Sequence, residues 1–410
     1  MRKYIEVITL FLIVVLYAGD YKEVKATEVT SVAITKENFP DKRVREEISK
    51  AFDKNKDKVL SEEELKVAIT LELESEVINL QGISKLRFIT NLRIDVNEVE
   101  NISEIKKMPQ LRYLYFASND NDKTSTLDFC NNKNLKEVHV YSGEFSFPIK
   151  IKNFPDGLQI LDAYMCKIKD SKIKDISGLK RIKLRNCNFQ TLIVENCPKL
   201  EKITSTENGK LGKVILKKLP KLECLKIGSA KKLKELKLPY LPGMRELVLG
   251  RNSIKKINFK KIPNLRILSV KRNNKITKID LRPLRKLYEL TWQRGKLKDI
   301  RFGQKKNLTY MYLQHNRLGG TWKLSKFPKL YEFYCNYNRI KNIYGRNHKY
   351  LDGIECEHNR LRKLDLYNIE PGHIWFKGNP HVTAYLLHRS SHGTYYRFDK
   401  SAKVHYKYKD

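Results

Sequence analysis

The chain has 410 residues, with 82 Lys and Arg against 46 Asp and Glu and a formal net charge of +36. A hydrophobic content of 41% is too high for a disordered polymer and is ample for a packed core. The cationic surplus must lie on the surface, where it attracts anionic polymers or acidic proteins; it does not specify a fold.

At the N-terminus, Arg2 and Lys3 precede an apolar run from Val7 to Ala18, and Val24-Lys25-Ala26 offers a small-residue cleavage pattern. Residues 1–26 read as a signal peptide, which predicts a secreted or cell-surface protein. The run is short for a bilayer span, and cleavage after Ala18 or retention as an uncleaved anchor stay open as alternatives. Cleavage after Ala26 removes four basic and three acidic side chains, leaving +35. No later segment is long and apolar enough to cross a membrane, and no sorting motif with an apolar tail follows. The mature chain is expected to be free or held to a surface by charge.

Residues 27–80 predict a small helical cap. Val44, Ile48 and Phe52, and then Leu65 and Ile69, give two helical faces around the acidic stretch FDKNKDKVLSEEEL. With Asp53 as position 1, this stretch fits the EF-hand loop: Asp53, Asn55, Asp57, the Val59 carbonyl, Ser61 and Glu64 fall at the six oxygen-donor positions. Position 6, normally Gly because φ is positive there, is Lys58, at a strain of about 1 kcal/mol. With Lys54 and Lys56 also near the cation, the expectation is structural Ca2+ held weakly, about 10⁻⁴ to 10⁻³ M.

From residue 81 to about 380 the chain repeats LxxLxLxxNxL, as in MRELVLGRNSIKKI followed by LRILSVKRNNKITKI. First positions fall at Ile89, Leu111, Leu135, Leu158, Leu179, Leu200, Leu222, Met244, Leu265, Leu287, Leu308, Leu330 and Leu351, with a degenerate turn near Pro371 to Asn379; the spacing is 20 to 24 residues. Positions 4 and 6 alternate inward on a short strand, and one strand per turn at about 4.8 Å builds a parallel sheet about 65 Å long over roughly 14 turns. The ninth position is Asn at 97, 119, 208, 252, 273, 316, 338, 359 and 379, where its amide can satisfy turning backbone; Cys166 and Cys187 take the same slot. A second apolar pair, such as Ile257/Phe259, Ile279/Leu281 or Leu364/Leu366, predicts a further short strand on the opposite side. Residues 381–410 leave the pattern, and the alternation in TYYRF and KVHYKY predicts a terminal hairpin or a basic tail.

The repeat resembles that of secreted, internalin-like leucine-rich repeat proteins of Gram-positive bacteria, over roughly residues 67 to 380, and the order of an NFPD segment, an acidic loop and then repeats resembles secreted members of the class. The fold implied is an α/β solenoid, largely β: a curved parallel-sheet leucine-rich repeat array of about 14 units of ~22 residues with a small helical N-terminal cap. The resemblance also implies that the concave face of the sheet binds partners.

Seven cysteines, at 130, 166, 187, 197, 224, 335 and 356, form an odd set without CxxC spacing, which argues against a zinc site or a disulfide framework. Cys335 and Cys356 take sixth positions and are expected inside, with His358 facing the other way. His388 and His392 could share a helical face.

Candidate partner-binding residues are the eighth-position column Arg251, Arg272 and Arg294, continued by His315, Tyr337 and His358, with Tyr312 and Tyr334 at position 5 beside Tyr310 and Tyr331, and Trp375 beyond them if the last turn keeps register. Tyr and Arg bury area with few rotors and still hydrogen bond, as binding hot spots require. The function expected is a secreted or surface-associated binding or adhesion protein for a protein or glycan. The alternative is a charge-driven binder of anionic polymers such as teichoic acid or glycosaminoglycan. No nucleophile motif, phosphate-cradling loop or HExxH occurs, so no enzyme and no sequence-specific nucleic-acid reader is expected.

Overall fold

A computed structural model describes residues 31–118, 126–143, 148–169, 172–187, 189–387 and 394–407. The expected signal peptide, Asn119, His388 and His392 lie outside the described residues.

The chain opens with strand β1 (Ser31–Ala33), helix α1 (Lys42–Phe52), strand β2 (Val59–Ser61) and helix α2 (Glu62–Val67); β1 and β2 pair antiparallel. α1 buries Val44, Ile48 and Phe52 at helical spacing. One oxygen of Asp41 caps α1, accepting the amides of Arg43 at 2.8 Å and Val44 at 3.2 Å. Its other oxygen accepts the amides of Ile78 and Asn79, at 2.8 and 2.9 Å, and so ties the cap to the first turn of the solenoid. Gly82 is needed at this junction: its φ is +94°, and a Cβ would lie 1.9 Å from the Asn38 carbonyl oxygen.

The second helical face is shorter than the apolar spacing predicts. α2 ends at Val67, Leu65 is buried, and Ile69 is 37% exposed. The Ile69 carbonyl accepts the amides of Thr90 and Asn91, so the ladder of the next turn claims the backbone that would have continued the helix. The long sheet therefore begins at Thr70–Ser75, within the span assigned to the cap.

From there each turn adds one strand to a sheet of sixteen, in chain order and always parallel. Register is conserved from turn to turn: Leu247 sits beside Leu268 and Leu268 beside Leu290, so positions 4 and 6 stack in continuous inward files. Leu247, Leu268, Leu290, Val270 and Trp292 are fully buried. Each such side chain contributes about 1.5–3 kcal/mol, but only once its neighbours above and below are in place.

The ninth-position amides form a second ladder. Asn316, Asn338, Asn359 and Asn379 each donate to a carbonyl of the preceding turn, those of Trp292, Leu313, Cys335 and Cys356, at 2.7–3.0 Å. Each Oδ1 in turn accepts an amide of the preceding turn, such as that of Ile340 for Asn359. Cys166 and Cys187 do the donating half of this work, with Sγ 3.3 and 3.4 Å from the carbonyls of Val140 and Ala163. All seven cysteines are free, and Cys335 and Cys356 are fully buried.

On the opposite side the second strands are discontinuous. Ile279 and Leu364 lie in strands Lys278–Asp280 and Lys363–Asp365 as expected, whereas Ile257 and Phe259 form none and the chain makes a 3₁₀ turn over Phe259–Lys261. The expected terminal hairpin does not form. Tyr395–Arg397 pairs parallel with His373–Trp375 on the long sheet, and Lys403–Lys407 pairs parallel with Thr383–Leu387 on the opposite one. The turn at Asp399–Ala402 carries the chain across the core, and Asp399 accepts the Gly378 and Asn379 amides at 2.7 and 3.0 Å. The segment is a further solenoid turn. The fold is thus a curved leucine-rich repeat solenoid with a small helical cap.

Candidate functional site on the outer face of the long sheet

The acidic loop between α1 and β2 is drawn in on itself. Asp53 Oδ2 accepts from the Ser49 hydroxyl and the Lys58 amide, each at 3.2 Å, while its Oδ1 is buried without a partner. Asp57 accepts from the Val59 amide at 2.7 Å and from Asn55 Nδ2 at 2.9 Å. Glu64 accepts the Lys54 amide at 2.7 Å with one oxygen and the Ser61 amide and hydroxyl, each at 2.9 Å, with the other. The Ser61 and Lys54 amides hold its carboxyl below its ordinary value. Lys58 has φ +65°, the left-handed conformation that position 6 of the loop demands. Among the described residues no three His, Cys, Asp or Glu side chains converge as a metal cluster.

The arginine column lies beyond the strands, not on them. Arg251 follows Glu246–Gly250, Arg272 follows Ile267–Lys271 and Arg294 follows Glu289–Gln293; their φ values are 52°, 56° and 54°. Each therefore marks a left-handed corner at the edge of the sheet, which turns the chain into the asparagine slot. His315, Tyr337 and His358 continue the same corner with φ of 57°, 57° and 49°. Their rings stack into a column, with centroids 4.5 Å apart at 7° and again 4.5 Å apart at 12°. Burial and then the charge of Arg294 hold His315 below its ordinary value.

The tyrosines do gather on the outer face of the sheet. Tyr310 meets Tyr312 at 6.3 Å and Tyr331 at 6.2 Å, and Tyr312 meets Tyr334 at 5.3 Å. The Tyr312 hydroxyl donates to Glu332. The sheet then adds His373, which the sequence reading did not include: it contacts Tyr334 at 5.7 Å and, at 5.0 Å, Trp375, the residue expected beyond the tyrosines. From Glu289 to Trp375 the outward strand positions hold Glu289, Glu332 and Glu355 but neither Lys nor Arg; the next strand adds Arg397, whose guanidinium lies 5.9 Å from the centre of the Trp375 ring and pairs with Glu357 at 3.3 Å. Burial raises the Glu355 carboxyl above its ordinary value, despite the hydrogen bond from Asn336 Nδ2 at 2.7 Å. Burial also raises the phenols of Tyr312 and Tyr334, reinforced by Glu332.

A second aromatic patch on this face escaped the sequence reading. Tyr113 contacts His139 at 5.4 Å, Tyr115 contacts Tyr141 at 5.3 Å, and the Tyr141 hydroxyl donates to Asp162 at 3.1 Å. The guanidinium of Arg93 lies 3.9 Å from the centre of the Tyr115 ring, and that of Arg185 lies 4.8 Å from the centre of Tyr164. Positions 3, 5 and 7 of the units beginning at Leu111, Leu135 and Leu158 carry the signal, whereas the sequence reading followed position 8, and position 5 only in the C-terminal units beginning at Leu308 and Leu330. Between the two patches the face is basic, with Arg181, Lys183, Lys202 and Lys226.

No protein-family model and no curated protein matches the sequence. Among solved structures, similarity extends to the functional domain of InlJ from Listeria monocytogenes (17% identity, 78% of each chain, TM-score 0.39). It also extends to the internalin InlF of Listeria monocytogenes str. 4b F2365 (15% identity, 80% of this chain and 92% of that one, TM-score 0.43). A third is the leucine-rich repeat protein LIC12759 of Leptospira interrogans (15% identity, 84% and 87%, TM-score 0.43). The repeat architecture itself rests on the strand register of this chain. No described helix is long and apolar enough to cross a membrane.

Proposed function

We propose that the protein is an exported binding scaffold that takes a polypeptide partner on the outer face of its long sheet. The observation that carries this reading is the continuous run Tyr310, Tyr312, Tyr334, His373 and Trp375, set among glutamates, with Arg397 over the Trp375 ring at its C-terminal end. Rigid rings on a rigid sheet lose little entropy on binding, and the glutamates favour a partner with a basic surface. Binding needs no reacting group, and we assign none.

The test is a protein and glycan array probed with the folded chain and with Tyr312→Ala/Tyr334→Ala/Trp375→Ala. The triple variant should lose at least about tenfold in affinity for a polypeptide hit, whereas Lys172→Ala/Lys174→Ala on the opposite side should not. Equal losses from both variants would remove the face from the argument.

We further propose that the loop binds Ca2+ as a structural tie between α1 and α2, through Asp53, Asn55, Asp57, the Val59 carbonyl, Ser61 and Glu64. The buried, unpartnered Asp53 Oδ1 and the left-handed Lys58 support this. At ten times the dissociation constant, calcium should stabilise the fold by about 1.4 kcal/mol. Calorimetry should show millimolar binding that Asp53→Ala abolishes; no heat from the wild type would end the proposal.

A further inference from the structure

The cationic surplus is not spread evenly, and its densest stretch lies away from the aromatic face. Four consecutive turns leave the long sheet through the segments SAKK, RNSIKK, RNNK and RGKLK, at residues 229–232, 251–256, 272–275 and 294–298. These contain no acidic residue. Adjacent segments lie side by side: the Ser253 amide donates to the Leu233 carbonyl at 3.1 Å and the Lys255 amide to the Lys234 carbonyl at 3.0 Å. Among the described residues, Lys231, Arg251, Arg272 and Arg294 are all exposed and none forms an ion pair, whereas Lys226, Lys237 and Arg245 nearby each hold a carboxylate.

Backbone geometry fixes these cations in file. Each arginine sits at a left-handed corner, and its amide is bound to the next turn: Arg251 to the Lys271 carbonyl at 2.9 Å, Arg272 to Gln293 at 2.9 Å and Arg294 to Gln314 at 3.0 Å. Successive guanidiniums therefore start from backbone positions one strand spacing apart, about 4.8 Å. Like charges this close repel, and among the described residues no carboxylate pairs with them. The left-handed conformation also disfavours a Cβ-bearing residue, so neither electrostatics nor backbone preference accounts for three arginines there. Asn186 occupies the same corner and fits it better. Between the first two arginines lies an open cleft of about 340 Å³ lined by Lys231, Arg251, Asn252, Ser253 and Arg272, residues of three successive turns.

We propose that this corner is a second binding site, for a linear polymer of phosphate groups, with Arg251, Arg272 and Arg294 as the rail and the Lys231–Ser253 cleft holding one phosphate. Guanidinium forks match phosphate oxygens two at a time, and a tetrahedral phosphate accepts donors from several directions at once. A polymer engages successive turns, so affinity grows with its length. The site is independent of the aromatic face and stands or falls apart from it.

The test is titration of the full chain with short-chain inorganic polyphosphate, with inorganic phosphate and with heparin, read by calorimetry at several salt concentrations. The variant Arg251→Asn/Arg272→Asn/Arg294→Asn keeps the corner conformation, as Asn186 does. The comparison variant Lys172→Gln/Lys174→Gln/Lys213→Gln removes the same charge from the opposite side. Polyphosphate should bind the wild type far more tightly than monomeric phosphate. The arginine variant should lose at least about tenfold and flatten the salt slope by about two to three, at about 0.7–0.9 per phosphate contact, while the comparison variant changes less than about twofold. Equal losses in the two variants, tighter binding of heparin than of polyphosphate, or no advantage of polymer over free phosphate would each overturn the proposal.

Discussion

Replacing Lys305 with methionine should stabilise the protein by about 2 kcal/mol at pH 7. The slot three residues before each first-position leucine faces the core; in neighbouring turns it holds Ile262, Leu284 and Phe327, all buried. Lys305 occupies it with no exposed surface, and its Nζ donates to the carbonyls of Phe302 and Gln304. Two neutral carbonyls do not replace the hydration of an ammonium, and burial pulls the group from 10.5 down to about 8. Because the folded value is the lower one, the unfolded chain binds the proton more tightly, and the penalty is complete below pH 8. It fades as the pH rises from about 8 to 10.5, so wild-type stability should climb across that window. Denaturant midpoints at pH 7, 9 and 10.5 check this: the variant should lack the climb, and a variant less stable than wild type at pH 7 would refute the argument.

Asn359→Ala should cost about 3 kcal/mol, a large effect for a change that leaves every leucine in place. Asn359 Nδ2 donates to the carbonyls of Cys335, Cys356 and Glu357 at 3.0, 3.1 and 3.1 Å, and its Oδ1 accepts the Ile340 amide at 3.0 Å. The residue is only 8% exposed, so water does not readily replace what alanine removes. Asn359→Cys should recover part of the loss, because the thiols of Cys166 and Cys187 donate from the same slot, yet it leaves the Ile340 amide unpaired. Denaturant unfolding of both variants checks the order, with cysteine falling between asparagine and alanine.

Much of this molecule could be read from one strand of text. The period of 20 to 24 residues dictates one strand per turn, the leucines at positions 4 and 6 dictate which side is inside, and the asparagines at position 9 dictate how the turns are tied. These are local, repeated signals, and each turn makes the same bonds as its neighbours. The side of the sheet that carries rings was legible for Tyr312 and Tyr334 for the same reason.

Other features depend on which residues meet after the chain has coiled. The sequence placed TYYRF and KVHYKY in a hairpin because alternation marks a strand without naming its partner; the unpaired edges of two separate sheets decided the matter in favour of parallel pairing. Position 8 reads like a strand position until the corner is built, and only the left-handed backbone sets Arg251, Arg272 and Arg294 at the edge rather than on the face. The distribution of charge was equally hidden. A total of +36 is a property of composition, whereas a tyrosine cluster set among glutamates and four neighbouring corner segments without an acid exist only once residues about twenty positions apart are stacked one strand spacing from each other.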